Sequence, residues 1–281
     1  MDASNNDTEL EPSGIGSLLR RWREARHLSQ LDLALDAEVS SRHISFLETG
    51  RAAPSREMIL TLCDVLDVPL RERNMLLLAA GFAPVYRETG LDDPRMAQVR
   101  AALELILGQH EPRSAFAFDR YWNLVMVNDA YIRFLTAVLG STPAGLEPLR
   151  VLRPPYQNLM HLLFAPSAMR KVILNWEQLA KSLLNQAHRA AAWTHDPTMQ
   201  ELINALLAYP GVPARWREPD LESSRDLILP VELDFSGGRV AKMFSTVTTL
   251  STPQDVTLQE LHVEAFYPAD AASAKMSFFN S

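Results

Sequence analysis

The chain has 281 residues, 47% of them hydrophobic, and a formal net charge of -7. That length allows one large core or two medium ones, and the single cysteine, Cys63, excludes an intramolecular disulfide framework. No apolar run approaches the ~20 residues of a membrane-spanning helix, and the acidic, polar N-terminus is unlike a secretion signal. We therefore expect a soluble, cytoplasmic protein with no membrane contact.

The charge is unevenly distributed along the chain. Between Gly14 and Arg56 there are seven arginines and five acidic residues, so this segment is positive although the whole chain is acidic. The first lysine is Lys171, so every basic side chain of the N-terminal third, histidines apart, is an arginine. The forked guanidinium suits phosphate and guanine. The local charge is therefore compatible with a DNA contact.

Residues 1–13 are polar and aperiodic, which predicts a disordered leader. From Ile15 to Phe82 apolar residues recur at helical spacing, and five short helices are predicted. Serines before the second, third and fourth segments are suited to N-caps, and Gly50 ends the third helix. In the second helix, the side chains expected to point inward are Leu31, Ala34 and Leu35.

The stretch "LSQLDLALDAEVSSRHISFLETGRAAPS" contains two short amphipathic segments joined by a tight apolar junction. Simple packing would explain such a pair, but the same arrangement is typical of a helix-turn-helix, whose second helix enters the major groove. The outward positions of that helix are Ser41, Arg42, Ser45 and, less easily, Phe46, while Gln30 is placed for a phosphate.

These residues resemble the XRE/Cro-type helix-turn-helix over roughly Ile15–Phe82. The similarity includes the Ser-Gln start, the alanine of the second helix, the Ile-x-x-Leu-Glu pattern, Gly50, and Pro54 before the fourth helix. It implies that Glu48 is structural. It also implies a DNA face formed by Gln30, Ser41, Arg42, His43, Ser45 and Phe46.

The pattern changes after Pro84. A helix from about Asp93 to Gly108, a connector or dimer element, is followed by an alternating, β-rich hairpin with strands at Ala115–Phe118 and Trp122–Val127. Further helices are predicted at about 129–139, 167–192 and 196–209. Three strands then follow at 226–235, 239–251 and 256–268, the first two joined by "SGG". This order predicts an α+β domain with an antiparallel sheet and helices on one face.

Residues 91–270 resemble the ligand-binding domain of MmyB-like regulators, through "AFDRYWNLVMVNDAYIRFL", "NLMHLLFAP", "NWEQLAKSLL" and "HDPTMQELINALL". The resemblance implies a PAS-like sensor of a fatty acid or similar lipid. The chain as a whole is predicted to be multidomain. Its parts are a leader (1–13), an all-α helix-turn-helix domain (14–84), a connector helix (85–112), a PAS-like domain (113–270) and a tail (271–281).

A lipid site needs an apolar tube with one polar end. Candidates for the polar end are Asn158, His161 and Arg170. Candidates for the tube, all of which could equally be ordinary core residues, are Trp122, Val125, Val127, Tyr131, Phe134, Leu162, Phe164, Ile173, Trp176 and Met243.

No HExxH, GxSxG, P-loop or complete dinucleotide motif is present, so we predict neither an enzyme nor a metal site. The only bound small molecule expected is the ligand itself, a fatty acid or similar lipid. The alternatives are a protein-interaction module that does not bind DNA, and a PAS sensor that holds haem, with His161 as axial ligand, or flavin. The favoured function is a homodimeric transcription regulator that binds double-stranded DNA and a small apolar ligand.

Overall fold

The computed structural model describes residues 14–153, 157–194, 196–213, 216–217, 228–234 and 239–276. The chain forms two compact units. The first runs to Glu88 and also includes Pro253–Gln259, and the second comprises Thr89–Thr252 and the residues from Glu260 onward. The predicted leader, the "SGG" turn and the last residues of the predicted tail lie outside the described residues.

The first unit confirms the five predicted helices: α1 (Ile15–Ala25), α2 (Gln30–Asp36), α3 (Ser41–Glu48), α4 (Arg56–Val65) and α5 (Leu70–Ala79). Three of them begin at a serine whose side chain accepts a hydrogen bond from a first-turn backbone N–H, at Ser29, Ser40 and Ser55. These caps satisfy amide groups that a helix leaves unpaired at its start, and they fix where each short helix begins.

One prediction for α2 is wrong. Leu31 and Leu35 are 58% and 68% exposed, whereas Leu33, Ala34 and Ala37 are buried. The helix has only two turns, so two overlapping apolar stripes fit its sequence. The buried stripe is the one that faces α3, because the alanines allow the two helices to approach closely.

The described residues of the second unit form five α-helices and five strands. The helices are α6 (Ala97–Gln109), α7 (Asp129–Leu139), α8 (Leu159–Phe164), α9 (Trp176–Thr194) and α10 (Pro197–Leu207). The strands are β1 (Ala115–Phe118), β2 (Leu124–Val127), β3 (Val231–Asp234), β4 (Val240–Thr249) and β5 (His262–Pro268). Short 3-10 helices occur at Pro94–Met96, Met169–Val172 and Ser273–Lys275.

The strands form one sheet in the order β2-β1-β5-β4-β3, and every pairing is antiparallel. The predicted α+β class and antiparallel sheet are confirmed. In this register Phe116 of β1 lies opposite both Val127 of β2 and Glu264 of β5. Residues directly opposite each other project from the same face, so these three side chains share one side of the sheet.

Both faces of the sheet are covered, which corrects the prediction that all helices lie on one face. Phe116 belongs to the larger apolar cluster, which α7, α8, α9 and α10 complete. Ala115 and Ala117 point to the opposite side, where they form a smaller cluster with Leu103 and Leu107 of α6. The small alanines leave room for α6, so the "AFAF" strand is apolar on both sides.

Three predicted boundaries are also wrong. Trp122 lies in the hairpin turn with φ of +61°, so β2 begins only at Leu124. The predicted helix at 167–192 is divided between a 3-10 segment and α9. The strand predicted from Val256 begins at His262, because Val256–Gln259 form a short helix, α11. The Thr257 N–H in its first turn donates a hydrogen bond to the Asp255 carboxylate.

Helix α11 lies in the first unit although it is part of the segment joining β4 to β5. The Gln259 side-chain oxygen accepts a hydrogen bond from the Leu70 N–H at 2.6 Å. This bond caps α5, whose own N-cap residue is Pro69 and provides no side-chain cap. Val256, which is buried, donates its N–H to the Arg87 carbonyl at 2.8 Å. The β4–β5 connection therefore helps to hold the end of the helical unit.

Candidate nucleic-acid interface and ligand site

Helix α3 has one face in the core and one face outside it. Ile44 and Leu47 are each 1% exposed and pack in the core of the first unit. The helical period of 3.6 residues then directs Arg42, Ser45 and Phe46 away from that core. This outward face is the candidate nucleic-acid interface.

A polar cluster of Arg23, Gln30 and Glu48, called here the Glu48 cluster, fixes the position of α3. The Glu48 carboxylate accepts two bonds from Arg23, at 2.6 and 3.0 Å, and one from the Gln30 amide at 2.8 Å. Arg23 also donates to the Leu28 carbonyl. The hydrogen bond to Glu48 raises the pKa of Arg23, and both side chains are largely buried. The structural role that the XRE/Cro-type resemblance implies for Glu48 therefore has a geometric basis.

The close approach of α1 to α3 depends on Gly16. A Cβ atom at this position would lie 2.5 Å from the Leu47 carbonyl oxygen and 2.6 Å from that of Glu48. Both neighbouring atoms belong to the backbone, so they could not move aside without shifting α3. Glycine at this position therefore brings the backbone of α1 onto the C-terminal end of the candidate reading helix.

The residues predicted for the DNA face are not equally available. Ser41 and Arg42 are exposed, whereas His43, Ser45 and Phe46 are half-buried. The Arg42 guanidinium lies 5.1 Å from the Phe46 ring centroid, a cation–π contact that orients it along α3. Gln30 is at the N-terminus of α2 as predicted. Its side-chain amide donates a hydrogen bond to Glu48, so Gln30 is also part of the Glu48 cluster.

Two further arginines flank the outward face and were not among the predicted site residues. Arg51 follows α3 and Arg56 is the first residue of α4, and both are exposed. By contrast, Arg20 pairs with Glu24 on α1, and Arg26 donates to the carbonyls of Leu66 and Asp67. Arg51 and Arg56 come directly after α3 in the sequence, whereas Arg20 and Arg26 precede α2. Position in the sequence could therefore have distinguished the two pairs of arginines.

The second unit gathers most of the apolar residues predicted for the ligand site. Its larger cluster contains, as buried members, Trp122, Val127, Tyr131, Phe134, Phe164, Ile173, Trp176 and Met243, with Leu162 packed against them. Val125 does not join them, because it lies in the smaller cluster beside α6. Residues two apart share a face in a regular strand, but the β1–β2 register shifts between Ala117 and Phe118 and leaves Val125 as an extra residue, so Val125 and Val127 lie in different clusters.

The three residues predicted for the polar end have partners within the fold. Asn158 caps α8 and donates to the Tyr121 carbonyl and to Asn123, at 2.7 and 2.9 Å. His161 shares a hydrogen bond with the Tyr209 hydroxyl at 3.0 Å, and burial lowers its pKa, which favours the neutral ring.

Arg170 also has partners of its own. Its guanidinium lies 3.6 Å from the Trp176 ring centroid and donates to the Pro210 carbonyl. The guanidinium is thus fixed against an aromatic ring and a backbone carbonyl. An arginine available for a ligand carboxylate would instead present its forked donors to an open site.

The structure also shows polar groups on the sheet side of the larger cluster: the hydroxyl of Tyr131, which was predicted only as a tube residue, and two groups that sequence reasoning missed. The Tyr131 hydroxyl is buried and has no hydrogen-bond partner. Glu264 and Ser245 lie on neighbouring strands and project from the same face of the sheet, and burial raises the pKa of the Glu264 carboxyl. Sequence patterns could not have grouped these residues, because they come from α7, β4 and β5 and meet only when the sheet forms.

An open depression of about 400 Å³ lies between α9 and α10, and it is lined by His188, Ala191, Ala192, Asp196, Pro197 and Gln200. Its carboxylate is already engaged, because Asp196 caps α10 and contacts Arg120 and the Tyr121 hydroxyl. Within the described residues, no group of three or more histidine, cysteine or acidic side chains could hold a metal ion. No helix in those residues is long and apolar enough to cross a membrane.

Comparison with protein families assigns both units. Residues 15–76 match a helix-turn-helix domain, and residues 99–277, more than half of the chain, match the MmyB-like transcription regulator ligand binding domain. The chain belongs to the MmyB-like transcription regulators. The suspected architecture, a DNA-binding head followed by a ligand-binding domain, is confirmed. No curated protein in the comparison matches this MmyB-like chain.

Proposed function

We propose that this MmyB-like regulator is a cytoplasmic homodimer that reads double-stranded DNA with α3 and responds to a small apolar ligand, such as a fatty acid or a similar lipid, held in its second unit. The proposed organisation is a DNA reader at 14–84, a connector at 85–112 and an α+β, PAS-like domain at about 113–270.

The observation that carries the DNA-binding part is the outward face of α3. The Glu48 cluster and Gly16 fix the helix from behind, so Ser41, Arg42 and Ser45 are presented on a rigid support. Arginine can bind guanine with two hydrogen bonds, and serine can contact bases or phosphate. Arg51 and Arg56 flank this face and add the positive charge that phosphate binding requires.

The test is DNA binding by the Arg42→Ala variant of the full-length chain. A duplex would first be selected from a randomised pool, and its affinity would then be measured at several salt concentrations. We expect Arg42→Ala to lose about 1–3 kcal/mol of binding free energy. Arg150→Ala, which also removes one exposed arginine but lies in the second unit, should bind as the wild type does. Equal affinity of all three proteins would contradict the role of α3.

The ligand-binding part is supported by the size and character of the larger cluster. Tryptophan, tyrosine and phenylalanine from α7, α8 and α9 meet the inner face of the sheet there, and most of the residues expected to line a lipid tube lie in it. An apolar interior with a few polar groups is the general form of a small-molecule site.

The homodimer follows from the geometry of operators. One head contacts a single half-site, and two heads separated by about one helical turn are needed for a palindrome. Leu105 is 62% exposed on α6, the predicted dimer element, which supports a second copy at this surface. Sedimentation of the wild type and of Leu105→Lys tests it, since the substitution should shift a dimer towards monomer. A wild type that is monomeric with and without DNA would contradict the assembly.

Communication between ligand and DNA is supported by α11. This helix belongs to the first unit but is joined directly to β4 and β5, which carry Ser245 and Glu264. A ligand can change DNA affinity only by its preference between two states of the protein. A ligand-dependent shift of these strands would alter the Gln259 cap on α5 and so bias the DNA-binding head.

A further inference from the structure

The Tyr131 hydroxyl is an unexplained feature of the second unit. Tyr131 is 2% exposed, and its hydroxyl is one of three buried side-chain polar atoms in the described residues that have no hydrogen-bond partner. The other two belong to Gln157 and Asp234. An unpaired buried hydroxyl is costly, and a group of this kind commonly marks the position of a bound molecule.

The position of this tyrosine is firmly set. Its backbone N–H donates to the Asn128 side chain at 2.9 Å, and Asn128 is itself fully buried and bound to the Arg113 carbonyl and the Ala115 N–H. The Tyr131 ring lies 4.7 Å from the Phe116 ring, centroid to centroid. The hydroxyl therefore cannot reach solvent by a simple side-chain rotation, and a partner must come to it.

Glu264 lies beside this tyrosine. It is directly opposite Phe116 in the β1–β5 pairing, so its side chain projects from the same face as the ring that Tyr131 contacts. Opposite residues have Cβ atoms about 4.5–5.5 Å apart. Burial and the nearness of Glu264 raise the pKa of Tyr131, and burial also raises the pKa of the Glu264 carboxyl. Both groups therefore favour their neutral forms.

The surroundings of these groups are apolar and partly open. On the β1 side, Phe116 is fully buried, whereas on the β4 side the residue opposite Glu264 is Val247, which is 53% exposed. Phe266, two residues along β5, is partly buried and packs against the larger cluster. Glu264 thus lies where the covered part of the sheet face meets its exposed part, which gives an apolar molecule a route to the hydroxyl.

In the described part of the second unit, no lysine or arginine is buried. Arg120 is paired with Asp196 and Glu260, and Arg170 is held by Trp176 and Pro210. A carboxylate placed beside Tyr131 would lose its hydration without gaining a counter-charge, and Glu264 would repel it once ionised.

We propose that Tyr131, Glu264 and Ser245 form the polar end of the ligand site and select a lipid-like molecule whose terminal group is uncharged, a hydroxyl or carbonyl group and not a carboxylate. The phenol donates a hydrogen bond to the ligand oxygen, the Glu264 carboxyl can accept one from a ligand hydroxyl, and the serine hydroxyl can donate or accept one. This inference rests on the proposed ligand-sensing function and narrows the proposed ligand from a fatty acid or similar lipid to a lipid-like molecule without a carboxylate.

The test uses full-length protein stripped of bound lipid and a matched pair of probes, 1-decanol and decanoate, in calorimetric titrations near neutral pH. The alcohol should bind more tightly than the anion. Tyr131→Phe should weaken alcohol binding about tenfold, the upper end for one hydrogen bond. The ligand-free variant should be at least as stable as the wild type, because the change removes an unpaired hydroxyl.

Tyr121→Phe is the matched control. Its hydroxyl donates to Asp196 at 2.7 Å, so the same chemical change there should lower stability and leave alcohol binding unaltered. Tighter binding of decanoate, unchanged alcohol affinity in Tyr131→Phe, or no binding of either probe would each overturn the inference. DNA binding is measured on the same samples. If the wild type binds DNA in a salt-sensitive way, the DNA-reading part of the proposed function stands and the ligand inference alone has failed. If the wild type does not bind DNA, the proposed function itself is contradicted.

Discussion

The two units use buried polar groups in opposite ways. In the first unit Glu48 receives all its hydrogen bonds from Arg23 and Gln30, so the polar core is complete and the exposed face of α3 is left for a partner. In the second unit the Tyr131 hydroxyl is buried without a partner. A DNA reader needs a rigid support behind an exposed surface, whereas a ligand sensor needs an interior that a ligand completes.

The largest expected effect comes from breaking the complete polar core. Glu48→Ala leaves Arg23 buried without its carboxylate, which should destabilise the first unit by about 3–5 kcal/mol. Chemical denaturation followed by circular dichroism would show an earlier transition, and DNA binding should be lost with it. Glu24→Ala removes the exposed partner of Arg20, which lies 3.8 Å from Arg23 but outside the buried cluster, and should change the unfolding curve much less. Equal curves for the two variants would show that the Glu48 cluster is not a support.

The second prediction concerns the apolar part of the ligand site in the second unit. If the ligand lies in the larger cluster, each further methylene should add about 0.8 kcal/mol of binding free energy until the site is full. Val127→Trp should then lower the chain length at which affinity stops rising, because the larger ring occupies part of the site. Calorimetry with a series of alcohols measures the optimum for both proteins. Val125→Trp, on the other face of the sheet, should keep the wild-type optimum.

The third prediction concerns α11 as the link between ligand binding in the second unit and DNA binding by the first. Gln259→Ala removes the side-chain cap of α5, and such a loss costs about 1 kcal/mol. The variant should keep its ligand affinity and lose part of the ligand-induced change in DNA affinity, as measured by fluorescence anisotropy with and without 1-decanol. Gln200→Ala, on α10, is the control and should retain full coupling. Undiminished coupling in Gln259→Ala would exclude α11 as the route.

The smallest effect is a pH dependence of stability. Because the pKa of Glu264 is raised above 4.5 in the folded state, the folded protein holds this proton more strongly than the unfolded chain does. Its contribution to stability therefore falls as pH rises from about 4.5 through the raised value. Glu264→Gln should remove that fall, so the difference in unfolding free energy between variant and wild type should grow with pH. A difference that stays constant would place Glu264 in water.

Sequence patterns predicted the first unit almost completely, because three of its five predicted helices begin at a serine cap and the motif is continuous along the chain. They misplaced Leu31 and Leu35, since a two-turn helix offers more than one apolar stripe. In the second unit the pattern predicted β1 and α7 well. It could not predict that Glu264 and Ser245 would lie near Tyr131, because that depends on strand order, and the β1–β5 pairing joins distant parts of the chain.

In the proposed function, one molecule reads DNA through α3 and changes its DNA affinity when a ligand binds in the second unit. A titration of the selected duplex by full-length protein, without ligand and with 1-decanol at its wild-type Kd, compares the wild type, Arg42→Ala and Tyr131→Phe. We expect a ligand-dependent affinity in the wild type, weak binding in Arg42→Ala, and normal ligand-free binding with a reduced response to the same 1-decanol concentration in Tyr131→Phe. Equal DNA affinity in all three proteins, with and without 1-decanol, would contradict the proposed function.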